Sequence, residues 1–593
     1  MKISVKTIMM MLSLTMVAAC GDDDPIASLV STDGSTTTSS DDNASSGDAV
    51  SMQMSDFGTF AITQTTAATG ETAASPTSRS QSVLITFNSD GTATTSDASL
   101  VTISGQSVTA TTADCNYVLT GNSGEGSSAA FNYKGTGDIT VTLSDVTLHT
   151  TAKAIGSTKG GNVELVLDGT STITSTAKKS IEVGDDTENS DGTFATYQKL
   201  DILGSGVLNV TTSAKGAISS TDAMTVNPGV VLNITVASGA TGKKGLKSET
   251  SIDFKGGRTT VINNAPAEWD SDESDYSAAT CVKAPAITVS GGTVQCMATG
   301  NGGKGLRADN TLTISGGTVE VITTGSNLVR YNGSDLVVSM SQLDSYSNYE
   351  DANPKGIHVG ETDLGTGSLT ISGGTVKVKA VNSEGIESKM NLTVTGGTVE
   401  AYAGDDAINA GISTENNSGN TYAGKGRINI SGGHVYAYST SNDAIDANGT
   451  IYISGGTVMA SGATGAECGI DCDNNTLSFT GGYIISMGGS NLSTPTESAC
   501  TQSALITTAS VAQGASITLQ IGGSTIMTLT SPRAYSGGTF LISTPEMQKG
   551  RSCSLLVNGN TSSSTTLSSS QWVNGSSGNS GGPGGFGPGG NRP

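Results

Sequence analysis

The stretch Leu312–Val321, LTISGGTVEV, recurs as LTVTGGTVEA at Leu392–Ala401. In both, Leu, Ile or Val returns at every second position with Thr, Ser or Glu between, and β-branched residues dominate. That alternation is the period of a strand. The central Gly-Gly permits a turn its β-branched neighbours could not adopt. Working outward, glycine pairs recur at Gly256-Gly257, Gly291-Gly292, Gly316-Gly317, Gly373-Gly374, Gly396-Gly397, Gly432-Gly433, Gly455-Gly456 and Gly481-Gly482. Less regular versions surround Gly169, Gly206 and Gly229. The shortest interval is 23 residues and the longer ones carry insertions, the largest at Thr323 to Asn353. A unit of two or three short strands cannot close a core alone, so successive units must stack as parallel strands about 4.8 Å apart. The expected fold is all-β: a single-stranded parallel β-helix, right-handed by the usual rule for parallel connections.

A second column precedes each glycine rung. Ile155, Ile181, Leu246, Leu306, Ile357, Ile386, Ile408, Ile445 and Ile470 occupy its aliphatic position and are expected to point inward. Two residues earlier stand Lys153, Lys179, Lys244, Lys304 and Lys355, then Glu384, Asp406, Asp443 and Cys468. One residue later the late units carry Glu387, Asn409, Asp446 and Asp471, with Asp405 and Asp473 nearby. Stacked carboxylates about 5 Å apart repel by roughly 3 kcal/mol per pair at an effective dielectric near 20. Calcium suits such a set, because it takes six to eight oxygens in adaptable geometry. The candidate metal ligands are Glu384, Glu387, Asp405, Asp406, Asn409, Asp443, Asp446, Asp471 and Asp473; a solvated acidic edge is the alternative. Lys304, Arg307 and Lys355, within a stripe that includes Lys153, Lys179, Lys244 and Lys247, are candidate contacts for an acidic glycan, or else turn lysines in solvent. Tyr402, Tyr436 and Tyr438 have outward parity and suggest a stacking platform for sugar faces, or simple cross-strand pairing.

Composition narrows the partners. The 593 residues include 79 glycines and carry a net charge of −23, and so acidic a chain gains little from nucleic-acid phosphates. Lys2 and Lys6 precede an apolar run, Ile8 to Val17, followed by Ala18-Ala19-Cys20 and then Gly21-Asp22-Asp23-Asp24. This resembles a lipoprotein leader with cleavage before Cys20, lipidation there, and an export signal to the outer face of the outer membrane. Membrane contact is expected through that anchor alone. The expected division is a signal peptide at 1–19, an acidic tether at 20–50, an N-terminal β segment at 51–135, the β-helix at 136–498, a small C-terminal β cap at 499–560 and a Gly/Ser/Pro-rich tail at 561–593. The seven cysteines after Cys20 are an odd set, so at least one is a free thiol. Cys296 and Cys468 share inward parity and read as buried, inert thiols rather than reactive ones.

SVLITFNSDG, GGNVELVLDGTSTIT and the EGIES, DDAINA and DAIDA turns followed by ISGGTV rungs together resemble the calcium-binding carbohydrate-binding domain-containing proteins of anaerobic bacteria. The resemblance implies a right-handed parallel β-helix like that of pectate lyases, calcium at the acidic turns, and binding of cellulose-like or pectin-like polysaccharide. Cys468 departs from it, standing where the other late units have an acid. Two other functions compete with non-catalytic binding: a calcium-dependent lyase, which needs a base such as Lys377 or Lys379 beside the metal, and a structural surface rod or adhesin.

Overall fold

The computed structural model describes residues 49–575 apart from 186, 188, 190–192, 344, 347–348, 362–364, 413–424 and 491. The expected leader, Cys20, nearly all of the tether and the tail beyond 575 lie outside the described residues. The chain divides into two units, one built on Ile62–Lys389 and the other on Met390–Pro593 with Thr7–Ala61. Both are dominated by short strands, as the period-2 patterning requires.

Within the first unit the strands of the repeats pair in parallel with their equivalents one repeat later. The aliphatic column is in register throughout: Phe131, Ile155, Ile181, Ile218, Leu246, Val282, Leu306, Ile357 and Ile386 lie opposite one another in sequence. All are buried. Ile218 and Val282 occupy positions that the sequence pattern passes over. Parallel pairing starts earlier than expected, with Gln81–Phe87 against Cys115–Gly121, inside the stretch assigned to an N-terminal segment. The second unit repeats the arrangement, with Ile408, Ile445 and Ile470 in register and buried.

Most of the glycine pairs form turns between strands, whereas Gly455-Gly456 and Gly481-Gly482 lie within the continuous strands Thr450–Ser461 and Leu477–Gly488. Gly374 has φ +76°, and a Cβ there would lie 2.6 Å from the carbonyl oxygen of Gly317 one repeat away. Positive φ and close backbone stacking thus coincide at one position, which only glycine satisfies. The long insertion makes its own antiparallel sheet, Asn327–Tyr331 between Ser334–Val338 and Glu350–Ala352.

At the C-terminal end, Tyr535–Ser543 runs antiparallel to both Leu477–Gly488 and Ala504–Val511. A separate five-stranded sheet holds Ser516–Ile521, Ser524–Thr530, Ser552–Val557 and Asn560–Thr566. Its fifth strand is Val50–Met52, from the far end of the sequence, paired in parallel with Met527–Leu529. The ordered cap therefore extends past residue 560, to Thr566 and then to Val573–Asn574, within the expected tail.

Candidate functional site

In the first unit, the residue after each aliphatic anchor forms a stacked column of Glu182, Ser219, Lys247, Lys283, Arg307, His358 and Glu387. Like charges at that spacing require counter-charges, and the neighbouring turns supply them. Lys153 and Lys179 both reach Glu182, and Lys247 reaches Glu249. Arg307 holds Asp309 at 3.1 Å and also pairs with Glu361. Lys355 is buried, with Nζ 3.0 Å from Glu384 and 2.6 Å from Glu387. Lys389 adds a further cation to Glu387, and His358 Nδ1 lies 2.6 Å from it. Burial alone would raise the Glu387 carboxyl, but Lys355, Lys389 and His358 outweigh it and hold the group well below the usual carboxylate range. Burial, with Lys304 and Lys355 nearby, pushes His358 down to about 4 despite Glu387.

These contacts revise two expectations. Glu384 and Glu387 have their charge taken up by lysine, so they do not stand as open ligands for a cation. The lysines do not form a free stripe either. Lys304 is buried and donates to the Asn353 carbonyl at 2.8 Å; burial, with Lys355 and Arg307 beside it, lowers it to about 7. Lys244 donates to the Gly242 carbonyl and the Ser277 hydroxyl. For Lys153, Lys179 and Lys355 the reason is register: a lysine two residues before the anchor reaches an acid one residue after the anchor in its own or the next repeat.

In the second unit the corresponding residues are acids or an amide. Asn409, Asp446 and Asp471 stack in register, and Asp443, Asp446 and Asp471 each bring a carboxylate oxygen within 4.8 Å of the others. Among the described residues no ion pair reaches any of the three. Burial, then the neighbouring acids Asp471 and Glu467, raise Asp443 to about 7, against a backbone hydrogen bond from Cys468. Asp446 is driven well above the ordinary range by burial and by Asp471, Asp443 and Asp473. Asp471 is raised by burial, although the Ser493 hydroxyl donates to it. Around the trio, Asp443 Oδ1 accepts from the Cys468 amide at 2.6 Å, and Asp406 Oδ1 accepts from the Asp443 amide at 3.1 Å. The Asn409 side-chain amide donates to Asp406 at 3.2 Å, while its Oδ1 is buried without a hydrogen-bond partner. Asp405 and Asp473 turn instead to the side-chain amides of Asn442 and Asn448.

The tyrosines have the outward parity expected of them but are covered. Tyr402 and Tyr438 stack at 5.2 Å with planes 5° apart. Phe57 stacks on Tyr402 at 5.7 Å, and the Arg533 guanidinium lies 4.8 Å over Tyr438. Tyr436 is buried with Met459 and Ile485 against the C-terminal sheet. No exposed platform results, because the segment around Phe57 and the C-terminal cap pack on that face. Phe57, Arg533, His358, Lys389 and Ser493 are the contributors that sequence reading misses; His358, one residue after the anchor Ile357, and Lys389, two residues past Glu387, left local signals.

Residues 104–350 and 344–467 match the family described as carbohydrate-binding domain-containing protein. No curated protein and no solved structure matches the chain.

Proposed function

The chain belongs to the carbohydrate-binding domain-containing protein family, and from that premise we propose that it binds polysaccharide without cleaving it, through calcium held by Asp443, Asp446 and Asp471. The reading takes the parallel repeats as a right-handed β-helix of the pectate-lyase kind and the chain as a lipoprotein anchored at Cys20 on the cell surface. The observation that carries it is the contrast between two sets of acids that stand at the same positions of the repeat, one set in each unit. Where lysine can reach, at Glu384 and Glu387, the charge is compensated by protein. At Asp443, Asp446 and Asp471 it is not, and beside them the Asn409 Oδ1 is a buried acceptor lacking a donor. An all-oxygen set of carboxylates with one amide carbonyl fits a hard divalent cation. Bound there, calcium would offer its remaining coordination positions to carboxylate or hydroxyl groups of a pectin-like or cellulose-like polymer.

The test incubates the full chain with polygalacturonate, with and without calcium, and follows both retention and absorbance of unsaturated product. Calcium-dependent retention without absorbance is expected. Product formation would favour the lyase, and retention that ignores calcium would remove the metal from the reading. Absence of any glycan retention would leave the structural rod.

A further inference from the structure

Among four successive repeats of the first unit, three share a packing rule and the fourth departs from it in a way that carries a chemistry. The residue just before the aliphatic anchor is Gly245, Cys281, Gly305 and Gly356 in four successive repeats. Facing it across the interior, the corresponding residues of the following strand are Val261, Cys296, Val321 and Val378, which are mutually in register. A Cβ placed on Gly245 would fall 2.4 Å from Cγ1 of Val261; on Gly305, 2.3 Å from that of Val321; on Gly356, 2.4 Å from that of Val378. Non-bonded atoms do not approach so closely, which is why three of these repeats pair valine with glycine. The fourth puts a side chain on both members, and both are cysteine. Both are fully buried, and both are free thiols in the structure.

We propose that Cys281 and Cys296 form a disulfide, made while this repeat is still open and enclosed as its neighbours stack. By register Cys281 faces Cys296 as each glycine faces its valine, and two cysteines so placed suit a covalent bridge, whose Cβ atoms lie about 3.5–4.5 Å apart. The step is thiol–disulfide exchange: a thiolate attacks an external disulfide, and the second thiolate displaces the mixed intermediate. The two cysteines lose two protons and two electrons, and the external disulfide leaves as a dithiol. Burial of both sulfurs in the finished fold places the exchange before closure.

The full chain, unfolded and refolded with oxidised and reduced glutathione, is alkylated in denaturant and digested with trypsin. Expected is a linked fragment joining 259–283 to 284–304, two hydrogens lighter than its parts and lost on reduction, together with a Tm several degrees above that of the reduced protein. The double variant Cys281→Gly with Cys296→Val restores the pair used by neighbouring repeats; it should fold and show a Tm indifferent to reductant. Full alkylation of both cysteines after oxidative refolding, or linkage of either to another cysteine, overturns the proposal.

Discussion

Lys355 shows how one side chain decides what a column of acids can do. Its ammonium is buried between Glu384 and Glu387, so removing it leaves two carboxylates enclosed with too little positive charge. Breaking such a buried set typically costs about 3–5 kcal/mol, and Lys355→Met is expected to lower the denaturant midpoint accordingly. His358 adds a pH dependence. Its folded pKa, about 4, lies below the 6.5 of an unfolded histidine, so the unfolded chain takes up the proton first as pH falls. Stability from this group is complete above about 6.5 and is lost as pH drops toward 4, by on the order of 3 kcal/mol at most. Glu387, also depressed, withdraws further stability below its unfolded value of 4.5. Equilibrium denaturation between pH 7 and pH 4 should therefore show a loss that His358→Gln reduces; an unchanged slope in that variant would refute the assignment. In the second unit, Asp446→Asn and Asp471→Asn should each weaken calcium binding by at least about tenfold, about 1.4 kcal/mol, in titration calorimetry. The same change at Glu387 should leave calcium binding in place.

At the level of the repeat, the glycine turns separate two costs that usually travel together. Gly374 and Gly333 have nearly the same positive φ, +76° and +78°, but a Cβ at Gly374 would strike the Gly317 carbonyl whereas none of the surroundings comes within 4 Å at Gly333. Gly333→Ala should cost only the backbone penalty, about 1–2 kcal/mol. Gly374→Ala should cost clearly more, and equal Tm shifts for the two would mean that the stacked turns yield. These turns, the strand period and the inward column were legible in the sequence because each is a local regularity repeated many times. The partner of each charge was not. Whether Lys355 meets Glu384 depends on register across a repeat junction, 29 residues along the chain, and no pattern within one repeat reports it. Asp443, Asp446 and Asp471 were legible as a cluster, since adjacent repeats of near-equal length bring them together. What distinguished them from Glu384 and Glu387 was the absence of a reaching lysine.

The covering of Tyr402 and Tyr438 belongs to the whole chain, because the covering residues are hundreds of positions away in sequence. Val50–Met52 completes the C-terminal sheet, the Ser55 amide donates to Glu400 at 3.0 Å, and Phe57 lies on Tyr402. No pattern within a repeat reports such contacts, so outward parity alone made the tyrosines look exposed. A chain beginning at Ile62 lacks this segment and uncovers one face of the stack. Loss of a buried phenylalanine contact is worth about 3–5 kcal/mol, and Phe57→Ala in the intact chain is expected to show most of that as a lower Tm and faster proteolysis of the second unit. The same pair of proteins asks where polysaccharide is held. With binding carried by calcium at the aspartates, retention on polygalacturonate remains calcium-dependent and equal in strength in the shortened chain, provided far-UV circular dichroism shows its sheet intact. Stronger retention, abolished by Tyr402→Ala, would instead identify the stacked tyrosines as a sugar platform that the N-terminal segment keeps covered.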